Sequence, residues 1–268
     1  MVKCLIAANP IEVRQARQDG SPILNIAEHF SRTIQGENQV GIPCTFLRLK
    51  NCTLNCSWCD SSSVWKFGNP YSVNELVEMW KKEGVIDDLK NNHHMVFTGG
   101  SPLLQQQALI SLIEKVKELY NFIPFIEVEN ECTIMPDPKM LQYVALWNNS
   151  PKLANSEMPL RARYKPEILD KFAQHYTEHR NRVTAISQYS KVVFWKFVVT
   201  CEEEWQEIVR DFILPGYVKK ENIVLMPEGQ TRDELLKHYE FVVNLACREG
   251  VRITDRAHIT IWGKKVGV

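Results

Sequence analysis

The stretch CTFLRLKNCTLNCSWCD, residues 44–60, joins an apolar strand to a loop that carries Cys52, Cys56 and Cys59. Thr45, Phe46, Leu47 and Leu49 favour an extended chain. The loop follows directly, so thiolates spaced C-x3-C-x2-C converge on one centre from a tight turn. Thiolates suit iron–sulfur clusters and zinc alike. Ligand number separates the two: a structural zinc closes a tetrahedron with four protein ligands, whereas three cysteines hold three irons of a [4Fe–4S] cubane and leave the fourth open. The loop offers three, which favours the cluster. The alternatives are a zinc site completed by Cys44, Cys132 or a histidine, and a cysteine-rich loop without metal.

Outward from this loop the chain alternates strand and helix signals. Strands are expected at 44–50, His94–Thr98, Ile123–Val128, Tyr143–Trp147, Val192–Val199 and Ile223–Met226. Helices are expected at about 73–83, with Ser72 as N-cap and Leu76, Val77 and Trp80 at helical spacing, and at about 103–120, where Leu109, Leu112, Ile113 and Val116 mark one face. Two more are expected at about 203–213 and 231–248. This βα rhythm implies parallel strands with right-handed crossovers, in an open doubly wound sheet or a full or partial barrel. Either way, chemistry gathers at the C-terminal strand ends. Residues 1–268 read as a single domain, with a polar N-terminal extension over about 1–30 and a charged helical insertion over about 157–191, broken by Pro159 and Pro166.

Across 268 residues, Lys plus Arg and Asp plus Glu each count 32, so net charge makes no case for a nucleic-acid or membrane partner. No run approaches the ~18 apolar residues of a membrane span. The N-terminal text is broken by Asn9 and Pro10 and lacks the pattern of a signal peptide. Three of the eight cysteines crowd into one loop, which favours a metal role over disulfides and a cytoplasmic setting.

The cysteine loop, with Trp58 before its last cysteine, resembles the radical S-adenosylmethionine (SAM) superfamily. Further blocks narrow the likeness: Ile34-Gln35-Gly36-Glu37, Gly41-Ile42-Pro43, Phe46-Leu47-Arg48-Leu49, Cys59-Asp60 and Thr98-Gly99-Gly100-Ser101-Pro102. Downstream come Glu127-Val128-Glu129, Ser150-Pro151-Lys152, Lys196-Phe197-Val198, Met226-Pro227-Glu228-Gly229 and Arg256-Ala257-His258 running to Trp262-Gly263. In this order they resemble the 7-carboxy-7-deazaguanine synthase family. The resemblance implies an α/β fold, a partial (β/α)6 TIM-like barrel of the radical SAM type. It also implies ring contraction of 6-carboxy-5,6,7,8-tetrahydropterin to 7-carboxy-7-deazaguanine with loss of ammonia, using the cluster, SAM and Mg²⁺.

Carried over by position, the resemblance assigns the pterin to Ile34, Gln35, Gly36, Glu37, Arg48, Thr98 and Glu129. It assigns SAM to Trp58, Gly99, Gly100, Ser101, Ser150, Lys152, Met226, Pro227 and Glu228, the cluster to Cys52, Cys56 and Cys59, and Mg²⁺ to Ser61. Arg256, His258 and Trp262 would line the closing end. The chain departs from the family at Ser101, where a Glu that meets the SAM amino group is usual, and at Ser61, where Thr is usual. It departs again at Glu129-Asn130-Glu131-Cys132-Thr133, where the pattern is nearer Glu-Thr-Asn-Gly-Thr, so Glu127 or Glu131 is an alternative to Glu129. The resemblance also implies a homodimer and an electron donor such as flavodoxin or ferredoxin, with no direct nucleic-acid contact and no membrane. Two competing readings are a radical SAM activase or other small radical SAM enzyme, and a zinc-stapled nucleic-acid-binding module using the basic 161–191 segment.

Overall fold

The structure is a computed structural model that describes residues 2–7, 14–179, 192–263 and 265. Strands β1 (Lys3–Ala7), β2 (Ile23–Ile34), β3 (Pro43–Leu49), β4 (Asn69–Ser72), β5 (His94–Gly99), β6 (Ile126–Asn130), β7 (Leu146–Asn149), β8 (Val192–Val199), β9 (Ile223–Pro227) and β10 (Arg252–Ile253) form one ten-stranded sheet. Its order is β1-β2-β3-β5-β6-β7-β8-β9-β10, with β4 paired to β2. From β3 to β10 every neighbouring pair is parallel; β1, β2, β3 and β4 meet through antiparallel pairings. The sheet is open, since β1 and β10 do not pair. The six strands expected from the βα rhythm are its parallel core.

The helices are α1 (Ser62–Trp65), α2 (Val73–Lys82), α3 (Val85–Lys90), α4 (Gln106–Tyr120), α5 (Pro138–Tyr143), α6 (Leu160–Arg163), α7 (Pro166–His179), α8 (Glu202–Ile208), α9 (Arg232–Glu249) and α10 (Ala257–Trp262). Ser72 caps α2 by accepting the Glu75 amide, and the Glu75 carboxylate accepts the Ser72 amide in return. Thr231 and Glu234 cap α9 in the same way.

Side-chain alternation explains how one sheet serves two surfaces. Leu47 and Leu49, Met95 and Phe97, Ile126 and Val128, and Phe197 and Val199 join the helices in one apolar core. The residues between them, Phe46 and Arg48, Thr98, Glu129, Lys196 and Val198, instead line a cavity. A period of two sends neighbours to opposite faces, so the same strands bury oil on one side and present charge on the other.

Three expectations are corrected. The first thirty residues are not a mere extension: β2 is largely buried and pairs with β1, β3 and β4. Its buried Glu28, His29, Ser31 and Thr33 give it polar text. His29 is held between the Phe46 carbonyl, 2.7 Å from Nδ1, and the Trp80 indole N–H, which donates to Nε2 at 2.7 Å. Burial depresses its pKa to about 4, so it is a neutral structural group. Second, the apolar run from Tyr143 is not all strand: Asp137 caps α5 with Pro138 at its first position, the helix runs to Tyr143, and β7 begins at Leu146. Third, the 203–213 helix is α only to Ile208 and continues as a π-turn over Val209–Ile213.

Of the 157–191 segment, α6 and α7 account for much, while 180–191 lies outside the described residues. Arg163 is buried and donates to Glu207 at 2.6 Å and to the Lys152 carbonyl at 3.1 Å, so it braces the β7–α6 connection rather than forming a basic surface. Removing one partner of a buried pair strands the other charge. Arg163→Met is therefore expected to cost about 3–5 kcal/mol in urea unfolding; a loss below about 1 kcal/mol, as for an exposed pair, would contradict this account.

Candidate active site

Parallel strands β3 and β5 run in register, with Arg48 opposite Thr98 and Leu49 opposite Gly99. Beyond this point the two chains stay in contact: the Ser101 amide donates to the Asn51 carbonyl at 2.9 Å. Gly99 has φ +150°, and a β-carbon there would strike the Leu49 backbone. One at Gly100 would overlap the Asn51 carbonyl and the Cys52 side chain. Both glycines are needed for a backbone approach that no side chain permits.

The cysteine loop is therefore seated on a strand end. Cys52, Cys56 and Cys59 are free and all line a cavity of about 540 Å³. N–H groups approach two of the sulfurs: the Leu54 amide lies 3.4 Å from Cys52 Sγ, and the Trp65 indole lies 3.5 Å from Cys59 Sγ. Burial pushes the Cys52 and Cys56 thiols up, so ionising them calls for a cationic metal centre. Three partly buried thiols on one loop, with donors to sulfur and open space beside them, fit a [4Fe–4S] cluster with one iron free.

The zinc alternative fits less well. Cys44 sits at the start of β3 opposite His94, about 17 Å of strand away from Leu49. Cys132 is buried in the helix-side core.

Opposite the cysteines the cavity is charged. Arg48 Nε donates to Glu28 at 3.1 Å, Lys196 pairs with Glu37, and Arg256 Nη1 pairs with Asp60 at 2.5 Å, with His258 3.9 Å away. Burial raises the Asp60 pKa, but Arg256, His258, Arg48 and Lys196 outweigh it and hold the carboxyl at about 2. Glu37 is likewise held down against burial, chiefly by Lys196. Glu129 goes the other way. Burial and the Glu37 charge push it up to about 7, against weaker pulls from Lys196, Arg48 and a 2.5 Å hydrogen bond from Thr98.

Of the residues expected from sequence, Ile34, Gln35, Gly36, Glu37, Arg48, Trp58, Ser61, Thr98, Gly99, Gly100, Glu129, Ser150, Lys152 and Met226 line this cavity with the cysteines. Lys152 donates to Ser150 Oγ at 2.9 Å and stands 5.5 Å from the Trp58 ring centre. Two expectations do not fit, and a third residue lines the cavity with its amide already committed. Ser101 is fully buried and its hydroxyl is taken by the Thr53 amide at 3.0 Å, so it braces the loop instead of facing the cavity. Pro227 and Glu228 are not lining residues; the Glu228 carbonyl lies 2.8 Å from His238 Nδ1. Gln35 spends its amide internally, donating to Glu127 at 3.0 Å and accepting the Gly36 and Glu37 amides.

Glu127 is buried in that network with Asn148 and His94 and does not line the cavity. Glu28, Asp60 and Lys196 also line the cavity without having been assigned roles from sequence, and Glu131, one of the alternatives to Glu129, lines it as well. Asp60 and Lys196 lay within the quoted blocks. A charged residue on an apolar strand was the usable signal for Lys196.

Two measurements follow from this geometry. Gly100→Ala should disrupt the cysteine loop and cut iron retained after anaerobic reconstitution to less than about half of wild type; full retention would show that the glycine contact is dispensable. Glu129 binds its proton more tightly folded than unfolded, so its contribution to stability is complete below 4.5 and is lost as pH rises through about 7. Glu129→Gln lacks that titration, and its stability relative to wild type should improve between about pH 5 and about pH 8 in urea unfolding of cluster-free protein.

Comparison with known proteins agrees with this arrangement. Residues 35–126 match the family described as a 4Fe-4S single cluster domain. The 7-carboxy-7-deazaguanine synthase of Halobacterium salinarum is 31% identical, covering 93% of this chain and 95% of that protein. Those of Pyrobaculum aerophilum and Bacillus subtilis are 29% and 27% identical, covering 92% and 93% of this chain. The crystal structure of QueE from Escherichia coli shares the fold, with a TM-score of 0.58 over 88% of this chain and 95% of that one at 18% identity. With the Halobacterium protein aligned over nearly its whole length, the chain belongs to the 7-carboxy-7-deazaguanine synthase family.

Proposed function

We propose that this chain catalyses the radical SAM ring contraction of 6-carboxy-5,6,7,8-tetrahydropterin to 7-carboxy-7-deazaguanine with release of ammonia, a step in queuosine-type deazapurine biosynthesis. The observation that carries the reading is one cavity in which three free cysteines face Arg48, Lys196, Arg256 and Glu129. Full-length likeness to several 7-carboxy-7-deazaguanine synthases supports it. The bound cluster and SAM supply one-electron cleavage that generates a hydrogen-abstracting carbon radical.

The remaining work falls to the chain. Cys52, Cys56 and Cys59 hold the cluster, and Trp58, Gly99, Gly100, Ser150, Lys152 and Met226 surround SAM. Among the described residues only Nε of Arg48 is engaged, by Glu28; its terminal nitrogens match the fork geometry of the pterin carboxylate. Glu129, poised near neutrality, accepts hydrogen bonds from the guanidine-like edge of the pterin as its carboxylate. Thr98 fixes it in place. The paired charges of Glu37 with Lys196 and Asp60 with Arg256 keep these groups oriented before substrate arrives.

Ser61 follows Asp60, and its hydroxyl, which makes no capping bond and lies 3.7 Å from Cys59 Sγ, is the oxygen offered to Mg²⁺ beside the substrate carboxylate. The electron donor, of flavodoxin or ferredoxin type, and a homodimeric assembly rest on the family resemblance. A cytoplasmic setting is in keeping with eight free cysteines. No helix among the described residues is long and apolar enough to cross a membrane.

Anaerobic reconstitution should load about four irons and four sulfides per chain. Turnover with SAM, Mg²⁺, dithionite and carboxytetrahydropterin should then give 7-carboxy-7-deazaguanine by mass. One zinc without iron, or a loaded enzyme that leaves the pterin unchanged, would refute the proposal. Arg48→Lys should raise KM for the pterin by about tenfold or more without lowering iron content. Ser61→Ala should raise the Mg²⁺ concentration needed for half-maximal rate.

A further inference from the structure

Beneath Cys52 runs a chain of hydroxyls with a carboxylate at its end. Ser101 Oγ lies 3.0 Å from Thr53 Oγ1, which lies 2.6 Å from Thr133 Oγ1; Thr133 in turn donates to Glu131 Oε1 at 2.6 Å. Thr53 Oγ1 reaches the same oxygen at 3.3 Å. These bonds orient Glu131, which is 5% exposed and lines the cavity. They use only one of its oxygens: Oε2 is buried and has no hydrogen-bond partner among the described residues. A buried carboxylate oxygen without a donor costs free energy comparable to a lost charged hydrogen bond, and a binding site recovers that cost when the ligand brings the donor.

The two cavity carboxylates at the end of β6 serve different neighbours. Glu129 interacts with Glu37, Lys196, Arg48 and Thr98. Glu131 is bonded to Thr53, the residue after Cys52, at 3.3 Å, and Lys152 stands 5.5 Å from the ring centre of Trp58, the residue before Cys59. Glu131 and Lys152 thus place an anion and a cation together at the cluster end, the charge pattern that receives an amino-acid zwitterion. Ser101, whose hydroxyl is taken by Thr53, supplies no charge there.

We propose that Glu131 is the carboxylate that receives the α-ammonium group of SAM, doing from the end of β6 what an acidic residue directly after Gly99-Gly100 would do from the end of β5. The assignment rests on the radical SAM reading above. Glu131 binds and positions the cofactor; it takes no part in hydrogen abstraction.

The test uses reconstituted protein with its cluster oxidised, so that nothing turns over. Equilibrium dialysis measures affinity for SAM, for S-adenosylhomocysteine and for the analogue of the latter that lacks the amino group. Wild type should bind the amino-bearing thioether about 10- to 100-fold more tightly than its deaminated analogue. Glu131→Gln should lose most of that difference while keeping its iron content and its affinity for the pterin. If wild type binds SAM yet does not distinguish the two thioethers, or if Glu131→Gln weakens pterin binding instead, the assignment to Glu131 is wrong. If iron-loaded wild type binds no SAM, the radical SAM reading itself fails and takes this inference with it. The wild-type comparison decides the matter even if the variant does not fold.

Discussion

The close passage of the Gly99-Gly100 backbone over Leu49, Asn51 and Cys52 is the contact on which the rest of the site depends. It fixes where the cysteine loop leaves β3, because the Asn51 carbonyl is tied to the Ser101 amide and Asn51 itself sits at φ 74°. The same register sets Arg48 beside Thr98, and Thr98 holds Glu129 on the next strand. A shift of one residue between β3 and β5 would turn Arg48 from the cavity into the helix-side core, since side chains alternate between faces. The cluster ligands and the substrate-facing charges are thus set by a single strand pairing, which two residues without side chains make close enough.

Charge balance is the second constraint. A cavity enclosed on its helix side by an apolar core cannot carry bare carboxylates cheaply. Glu28, Glu37 and Asp60 each have a cation in contact, from Arg48, Lys196 and Arg256. Among the described residues Glu129 has only the Thr98 hydroxyl as a direct partner and a like charge in Glu37, and it is the one pushed toward neutrality. The cavity is therefore organised before any ligand enters. Among the described residues, neither Glu129 nor Glu131 is in a salt bridge with a cation, and Glu131 keeps one oxygen without a donor; a guanidine-like ring edge and an ammonium provide what is missing.

The parallel core was legible from sequence because short apolar stretches alternate with helical text from residue 44 to residue 248, and the cysteine loop announced its own chemistry. The N-terminal strands were obscured for the opposite reason. β2 buries Glu28, His29, Ser31 and Thr33, so its text looks like that of a solvated segment. The run from Tyr143 to Trp147 is apolar throughout, and periodicity alone does not show where a short buried helix yields to a strand; the cap at Asp137 and Pro138 was the missed signal. Pairings such as Lys196 with Glu37 and Arg256 with Asp60 join residues far apart in the chain. Only the closure of the sheet around the cavity brings them together, so sequence named several of the residues without showing which charge answers which.

Ser101 shows what reading a motif along one strand leaves out. In a parallel sheet the C-terminal ends of adjacent strands open onto the same space, so a carboxylate lost after β5 can be supplied after β6 without disturbing either strand. Here the link is physical: Ser101, Thr53 and Thr133 join the two ends through hydroxyls that lead to Glu131 Oε1, while Oε2 has no partner among the described residues. The departure at position 101 and the departure at position 131, unrelated when read as text, are neighbours in one hydrogen-bonded unit.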